Sequence, residues 1–582
     1  MEKIFVLPPE IISKIAAGEV IERPASVVKE LMENSLDAKA QSIELHLKQA
    51  GKTLIHIKDT GTGIEQPDME KLFIRHSTSK INNLDDLYKI NSLGFRGEAL
   101  YSVAAISDIT LRSKTETSET GWEIHCRGSQ RLSLRPIPLL CGTEIEVKEL
   151  FFNTPARRKF LKSDTTELNQ ILNIFIPYTI LYPQIRFQLT NNGKPLIDLP
   201  PEENHLARIA KALNLEKKYL LEAKQNSEEE GIEIHAVLGD INIQRINKDL
   251  QFFFINGRPV QSRNLSFHIN QVYKLIFPEE FKPFFAICIT IPSENVDVNV
   301  HPTKREVKIK DEYRLISFLR YLCEQTLMSY GKAKQAKEQI FQMDQNQGTF
   351  VKEETAPYPS FSGSNTKNCP DISQKQESGA LLFKEYDSAM PQQNNLAKML
   401  AQSAFVGTFQ RKYLLFETVR SLLVIDQHAA AERINYEKLI QQIEGKNIEI
   451  QNILTPILIR ITRQEMLTWE ETKGKLEELG FSTSLWDNDS IAIHSHPQLI
   501  NNPEIAVRNI LSDDDVAGYD VNTLARRACR QSIMVGYQVK KEEAEFLRKQ
   551  LLECADPFTC PHGRPTVIEI QESLLNKQFL RG

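Results

Sequence analysis

At 582 residues the chain is too long for a single hydrophobic core, and its length suggests roughly three or four domains. Its composition, 41% hydrophobic and 25% charged, is that of a soluble globular protein, and its greasiest stretches, such as Phe252-Phe-Phe-Ile255, fall far short of the ~18 apolar residues of a membrane span. A net charge of -5 gives no global nucleic-acid signature, eight scattered cysteines make no disulfide framework, and the opening residues lack a secretion pattern, so a cytoplasmic protein is expected.

Pro24 suits the first turn of a helix, and Ala25 to Asp37 places Val27, Val28, Leu31 and Met32 at helical spacing. Glu30, Asn34 and Asp37 then share one face, where a carboxylate and an amide amid apolar neighbours suit a general base and a metal ligand. A solvated polar stripe is the bland alternative. Two alternating segments, Ser42 to Leu47 and Leu54 to Lys58, predict a hairpin joined at Ala50-Gly51 and ending in Asp59-Thr-Gly61-Thr-Gly63. Glycines there let backbone approach a ligand closely, and a carboxylate at a strand end can accept from an exocyclic amine. A second glycine loop, Gly94-Phe95-Arg96-Gly97, opens a helix from Glu98 whose free N–H groups favour phosphate. Gly51-Lys52-Thr53 resembles the end of a Walker loop, but His46 stands where its first glycine belongs and strands flank it. Gly61-Thr-Gly63 lacks the third glycine of a dinucleotide fingerprint, so neither a P-loop nor a Rossmann site is indicated.

A domain boundary is expected near residue 205, and beyond it strand-like runs at Ile232 to Leu238, Phe252 to Ile255 and Phe284 to Ile291 alternate with helical stretches. From 336 to 398 the chain turns to Gln, Asn, Pro and Ser with few β-branched residues, which predicts a flexible linker. After it, Lys412 to Phe416 and Ser421 to Ile425 read as strands, Asp426 closing the second, and Ala429 to Ile443 as a helix. His428 and Glu432 are i, i+4 neighbours, with Glu437 five further on. They form a plausible half-site for a transition metal, to which Cys560 and His562 would add soft and borderline ligands. Taken singly, these residues read as a structural histidine and a turn.

The order Glu30/Asn34, Asp59-x-Gly61-x-Gly63, Gly94-Phe-Arg-Gly97 and Gly142-Thr143 resembles the ATPase superfamily of gyrase, the large heat-shock chaperones, histidine kinases and MutL. Within it, Ile15-Ala-Ala-Gly-Glu-Val-Ile-Glu-Arg-Pro-Ala-Ser-Val-Val-Lys-Glu-Leu31 and Asn153-Thr-Pro-Ala-Arg-Arg-Lys-Phe-Leu161 are similar to the MutL family of DNA mismatch-repair proteins specifically. The resemblance implies an α+β multidomain protein. Its parts would be a GHKL (Bergerat) ATPase α/β sandwich at 1–205, a transducer domain like domain 2 of ribosomal protein S5 at 206–335, the linker at 336–398, and a dimerisation and endonuclease domain at 399–582. By carry-over, Glu30 activates the attacking water, Asn34 binds Mg²⁺, Asp59 reads adenine, and Gly94 to Gly97 cradle phosphates. Asp37, Gly61, Gly63, Phe95, Arg96 and Thr143 complete the ATP site, Arg75-His-Ser-Thr78-Ser-Lys80 resembles the mobile lid, and Lys304 reaches the γ-phosphate from the second domain.

Asp426-Gln-His428-Ala-Ala-Ala-Glu432-Arg-Ile-Asn-Tyr-Glu437 resembles the endonuclease motif of the MutL class that nicks DNA, accompanied by Ala528-Cys529-Arg530, Cys560-Pro-His562-Gly-Arg-Pro565 and Phe579-x-Arg581. The implied metal set is Asp426, His428, Glu432, Cys529, Cys560 and His562, holding a regulatory Zn²⁺ and the Mn²⁺ or Mg²⁺ used in cutting, with Asp426 and Glu432 in the catalytic role. Gln451-Asn-Ile453-Leu454-Thr-Pro456 resembles a sliding-clamp docking peptide, with a core strand as the alternative. Two basic runs, Arg157-Arg158-Lys159 with Lys162 and Lys304-Arg305 with Lys308 and Lys310, would neutralise phosphates in weak, salt-sensitive, sequence-independent DNA binding. The expected partners are DNA, a MutS-type mismatch-recognition protein, the clamp and a second copy of the chain, with no membrane. The rival from another class is an ATP-gated matchmaker whose C-terminal residues hold only structural zinc.

Overall fold

The structure is a computed structural model that describes the chain apart from residues 1–20, 81–92, 95–96, 129, 228–230, 241, 244–249, 277–282, 298–306, 346–392, 488, 513–518, 530–538 and 580–582. It divides into two compact units, Met1–Ser329 with Gln442–Ser532, and Tyr330–Gln441 with Ile533–Gly582.

In the first unit, helix α1 (Pro24–Asp37) carries Pro24 in its first turn and buries Val27, Val28, Leu31 and Met32, as their spacing dictates. The chain then turns into β1 (Ser42–Lys48), which pairs antiparallel with β2 (Leu54–Asp59). The turn holds Gln49, Ala50 and Gly51 at positive φ, the hairpin that alternation predicts. After helix α2 (Ala99–Ala105) come β3 (Asp108–Lys114), β4 (Gly121–Arg127), β5 (Gln130–Ile137) and β6 (Gly142–Lys148). Helix α3 (Asp164–Leu181) precedes β7 (Arg186–Asn191) and β8 (Lys194–Leu199). The eight strands form one sheet in the order β5-β4-β3-β6-β2-β1-β7-β8, antiparallel except for the parallel β1/β7 pair.

Period-2 alternation sends Ile43, Leu45, Ile55, Ile57, Ile109, Leu111, Ile145 and Val147 to the buried face, in one core with α1 and α3. The opposite face is a lattice of charge. Arg112 there donates to Glu123 (2.6 Å), Glu144 (3.1 Å) and Glu146 (2.7 Å), and His56 lies 2.9 Å from Glu144. The guanidinium already supplies the cation that these carboxylates need.

Strands β9 (Leu220–Ser227), β10 (Ile232–Gly239), β11 (Gln251–Ile255), β12 (Arg258–Val260) and β13 (Phe285–Thr290) form a second sheet in the order β12-β11-β13-β10-β9. Its core packs against α4 (Arg263–Ile276) and the first half of α5 (Glu312–Gln345) through Leu265, Ile269, Val272, Leu315, Leu319 and Cys323. A short ladder, β14 (Val296–Asp297) with β15 (Lys308–Ile309), stands beside it.

Helix α5 continues to Gln345, past the expected linker start at 336, and helix α6 (Gln393–Gln402) begins before 398. The run Lys332-Ala-Lys-Gln-Ala-Lys-Glu-Gln is rich in straight-chain helix formers, so a polar composition there is also a helical one.

The second unit contains β16 (Ala404–Phe409), β17 (Tyr413–Glu417), β18 (Ser421–Asp426) and β22 (Val567–Gln571), one antiparallel sheet in that order, with helix α7 (Gln427–Glu444) leaving directly from β18. Between these segments the chain contributes β19 (Ile450–Arg460), β20 (Ser482–Asp487) and β21 (Ser490–Pro497) to the first unit, as a three-stranded sheet with β21 central.

Candidate functional site

The first site is a cleft of about 1700 Å³ over the buried side of the eight-stranded sheet. Glu30, Asn34, Asp37, Asp59, Gly61, Gly63, Thr78, Gly94, Gly97 and Thr143 all line it, so residues far apart in sequence meet in one cleft. Phe95, Arg96 and Lys304 lie outside the described residues.

Asp59 ends β2 and is 6% exposed. The Ser35 hydroxyl donates to Oδ2 (2.7 Å) and the Gly61 N–H to Oδ1 (2.8 Å). Burial raises the Asp59 pKa above the usual carboxylate value, and the hydrogen bonds from Ser35, Gly61 and Thr143 pull against it. A carboxylate so fixed at the floor of a cleft presents an acceptor of constant geometry.

Two glycines are required by geometry. Gly63 has φ +73°, and a Cβ there would sit 2.1 Å from the Lys114 carbonyl; at Gly97, φ +61°, it would sit 2.4 Å from the Ser77 carbonyl. The second contact seats the segment carrying Thr78 directly on the loop, and His76 N–H donates to the Gly97 carbonyl at 3.1 Å.

The opposite wall is α1. Asp37 accepts from the backbone N–H groups of Leu93 (2.9 Å) and Gly94 (3.2 Å), which pins the start of the glycine loop. The Lys80 ammonium donates to Asn34 Oδ1 (3.1 Å) and to the Asp37 carboxylate, so an amide oxygen and a carboxylate share one cation. Glu30 takes the Lys29 ammonium at 3.2 Å, and Lys29 also reaches buried Glu33 at 3.0 Å. Burial works against the charge on Lys29, but the carboxylates of Glu30 and Glu33 outweigh it and raise its pKa. Tyr178 of α3 donates to Glu33 at 2.5 Å, fixing the helix behind Glu30. Sequence reading missed Ser35, Lys29, Glu33 and Tyr178 as parts of this site; only Ser35 carried a signal, lying one turn from Leu31 beside Asn34.

The second site lies within the second unit. Asp426, at the end of β18, accepts from the N–H groups of His428 (2.9 Å) and Ala429 (3.0 Å) and so caps α7. One turn on, Glu432 is 5% exposed, with His428 Nε2 3.2 Å from one carboxylate oxygen and His562 Nδ1 3.4 Å from the other. Ligand atoms of Glu432, Cys560 and His562 lie within 4.8 Å of one another, and Cys560 is 1% exposed. The tight turn Cys560-Pro-His-Gly563, closed by Gly563 N–H to the Cys560 carbonyl (2.9 Å), brings thiol and imidazole to the same side. A sulfur, an imidazole nitrogen and a carboxylate, with a second imidazole beside them, are a donor set that suits zinc. Glu437 instead accepts from the N–H groups of Ala555 and Asp556 (2.7 and 3.3 Å), anchoring the segment before Cys560. Cys529 is fully buried at the end of helix Val521–Ala528, in the other unit. Arg530 and Arg581 lie outside the described residues.

The clamp-like segment occupies β19, where pairing with β21 slips between Asn452 and Ile457. The slip lifts Ile453 to Pro456 out of register and leaves Leu454 fully exposed, so this part of the strand is not core.

Known proteins extend these observations. Residues 21–146 match the Histidine kinase-, DNA gyrase B-, and HSP90-like ATPase model, 214–328 the DNA mismatch repair protein, C-terminal domain model, and 406–539 the MutL C terminal dimerisation domain model. The MutL mismatch repair protein of Endomicrobium trichonymphae is 33% identical over 99% of this chain and 100% of its own length. That of Carboxydothermus hydrogenoformans is 34% identical, covering 100% of both chains. Among solved structures, the Aquifex aeolicus MutL ATPase domain complexed with ADP is 29% identical, covering 52% of this chain and 98% of that one, at a TM-score of 0.39. With an ATPase domain at one end, a dimerisation domain at the other and relatives aligned over their whole length, the chain belongs to the MutL family of DNA mismatch repair proteins.

Proposed function

We propose that the chain is a homodimeric, ATP-driven mismatch-repair endonuclease, with domains divided near 205, 335 and 398. ATP binds in the cleft of the eight-stranded sheet, and Asp59 accepts from the adenine amine. Asn34 would hold Mg²⁺, Asp37 fixes the entrance of the Gly94 and Gly97 loop that with Thr78 receives the phosphates, Lys304 reaches the γ-phosphate, and Glu30 orients and deprotonates the attacking water. The dimerisation domain joins two copies, so ATP-dependent association of the ATPase ends closes a ring around DNA.

The observation that carries the nuclease reading is the junction of β18 and α7, with Asp426 at the strand end and Glu432 six residues on, in a cluster with Cys560 and His562. Glu432, Cys560 and His562, with His428 beside them, would hold Zn²⁺, while Asp426 and Glu432 would hold Mn²⁺ or Mg²⁺, which would supply charge stabilisation at the phosphodiester oxygens. Glu432 orients both imidazoles, and Glu437 holds the segment before the Cys560 turn in place. DNA is gripped through phosphates by the basic runs, the exposed Leu454 bulge docks on a sliding clamp, and a MutS-type protein supplies the mismatch signal. No helix among the described residues is long and apolar enough to cross a membrane. A cytoplasmic site of action fits that reading.

The test is nicking of supercoiled plasmid with Mn²⁺ by wild type, Asp426→Asn and Glu30→Ala, with and without ATP and a loaded clamp. Nicking lost in Asp426→Asn, and insensitive to ATP in Glu30→Ala, supports both sites. A wild type that binds zinc and hydrolyses ATP but never nicks makes the chain a matchmaker, a reading consistent with Asp426 serving as a helix cap.

A further inference from the structure

We propose that Arg258 is a positioning residue for the nucleotide, through which the five-stranded sheet holds the glycine loop of the ATP cleft; this rests on reading that cleft as an ATP site. Arg258 opens β12 and is 8% exposed, an unusual place for a guanidinium. Its Nη1 donates at 3.1 Å to the carbonyl of Leu93, the residue before Gly94. That same residue gives its N–H to Asp37 at 2.9 Å, and the Gly94 N–H follows at 3.2 Å. The loop entrance is therefore gripped on one side by α1 and on the other by a residue of the second sheet.

The hairpin that presents Arg258 is stiff. Asn256 (φ +48°) and Gly257 (φ +75°) make its turn, and the Asn256 carboxamide donates to the Ile291 carbonyl and accepts from the Ile291 N–H, both at 2.9 Å. A second bond ties the turn to the ATPase side, where Tyr182 donates to the Gly257 carbonyl at 3.2 Å. Burial, with Asp37 and Glu33 adding to it and Arg258 pulling the other way, raises the Tyr182 hydroxyl to about 12, so these groups share one electrostatic environment. A loop carbonyl held by a stiff hairpin cannot shift to receive phosphates without moving the hairpin or breaking the bond. Nucleotide binding and the position of the second sheet are then coupled, and the coupling acts in both directions.

The experiment uses the full chain as wild type, Arg258→Met and Tyr182→Phe. A non-hydrolysable ATP analogue is titrated calorimetrically, and hydrogen exchange of residues 251–260 is followed with and without it. The expected result is about tenfold weaker binding by Arg258→Met, in the range of ordinary coupling between sites, together with loss of nucleotide-induced protection at 251–260. Tyr182→Phe, a minimal change, weakens the same protection less and decides the matter if Arg258→Met does not fold. A purely structural arginine would lower the melting temperature yet leave the nucleotide-induced exchange difference intact, and that outcome overturns the proposal. Wild-type binding unchanged by either substitution overturns it as well. A wild type that binds no nucleotide overturns the reading of the cleft, and the proposal with it.

Discussion

Replacing Asp59 by Asn should separate recognition from stability. The carboxylate is nearly inaccessible and accepts from the Ser35 hydroxyl and the Gly61 N–H. Asn keeps an acceptor for Gly61, and the rotatable Ser35 hydroxyl can accept from the new NH₂, so the unfolding free energy should change by less than about 1 kcal/mol. Ala instead strands the Gly61 N–H, while the Ser35 hydroxyl keeps the Leu31 carbonyl at 3.2 Å, so the cost should be about 1–3 kcal/mol. The pH dependence fixes the sign. Because burial raises the Asp59 pKa above its usual 3.8, the folded state holds the proton more tightly than the unfolded one, and wild-type stability from this group falls as pH rises from 3.8 through the raised value. Asn escapes that loss, so Asp59→Asn gains on wild type at neutral pH and the gain vanishes in acid. Nucleotide binding moves the other way, since losing a charged acceptor for the adenine amine removes ~1.5–3 kcal/mol, about 10- to 100-fold in Kd. Urea unfolding at pH 4 and pH 7.5, beside calorimetric titration with an ATP analogue, measures both. Unaltered ATP affinity in Asp59→Asn, or destabilisation equal to that of Asp59→Ala, would refute the reasoning.

At the start of α7, Asp426→Asn retains a cap acceptor and should leave stability within a few tenths of a kcal/mol, whereas Asp426→Ala loses about 1 kcal/mol; equal unfolding midpoints would remove the cap from the account. Leu454→Asp should shift stability by less than about 0.5 kcal/mol because the side chain is fully exposed, while abolishing binding to an immobilised sliding clamp; retained binding would return Leu454 to ordinary surface. Cys560→Ser should lower zinc content, measured by elemental analysis of purified protein, with dimerisation unchanged; full zinc in this variant would place the ion elsewhere.

Much of this protein was written along its chain. The apolar spacing of Val27, Val28, Leu31 and Met32 determines which face of α1 is buried and therefore that Glu30 and Asn34 face elsewhere. Alternation through Ser42 to Asp59 fixes the hairpin, and Asp426 before His428 marks a strand handing over to a helix. These are local properties, set by the periods of helix and strand and by capping chemistry, so a single sequence reveals them. At Lys332 to Gln345 polar composition suits a helix as well as a linker, so composition alone does not separate the two.

The tertiary structure decided what depends on proximity between distant segments. Only folding places Tyr178 on Glu33, Arg258 on Leu93, and Ser35 on Asp59. The pairing slip that exposes Leu454 depends on a partner strand some forty residues away, which Gln-x-x-Leu-x-Pro does not encode. Burial is likewise a sum over neighbours from the whole chain, and so are the electrostatics of Asp59 and Lys29 that follow from it.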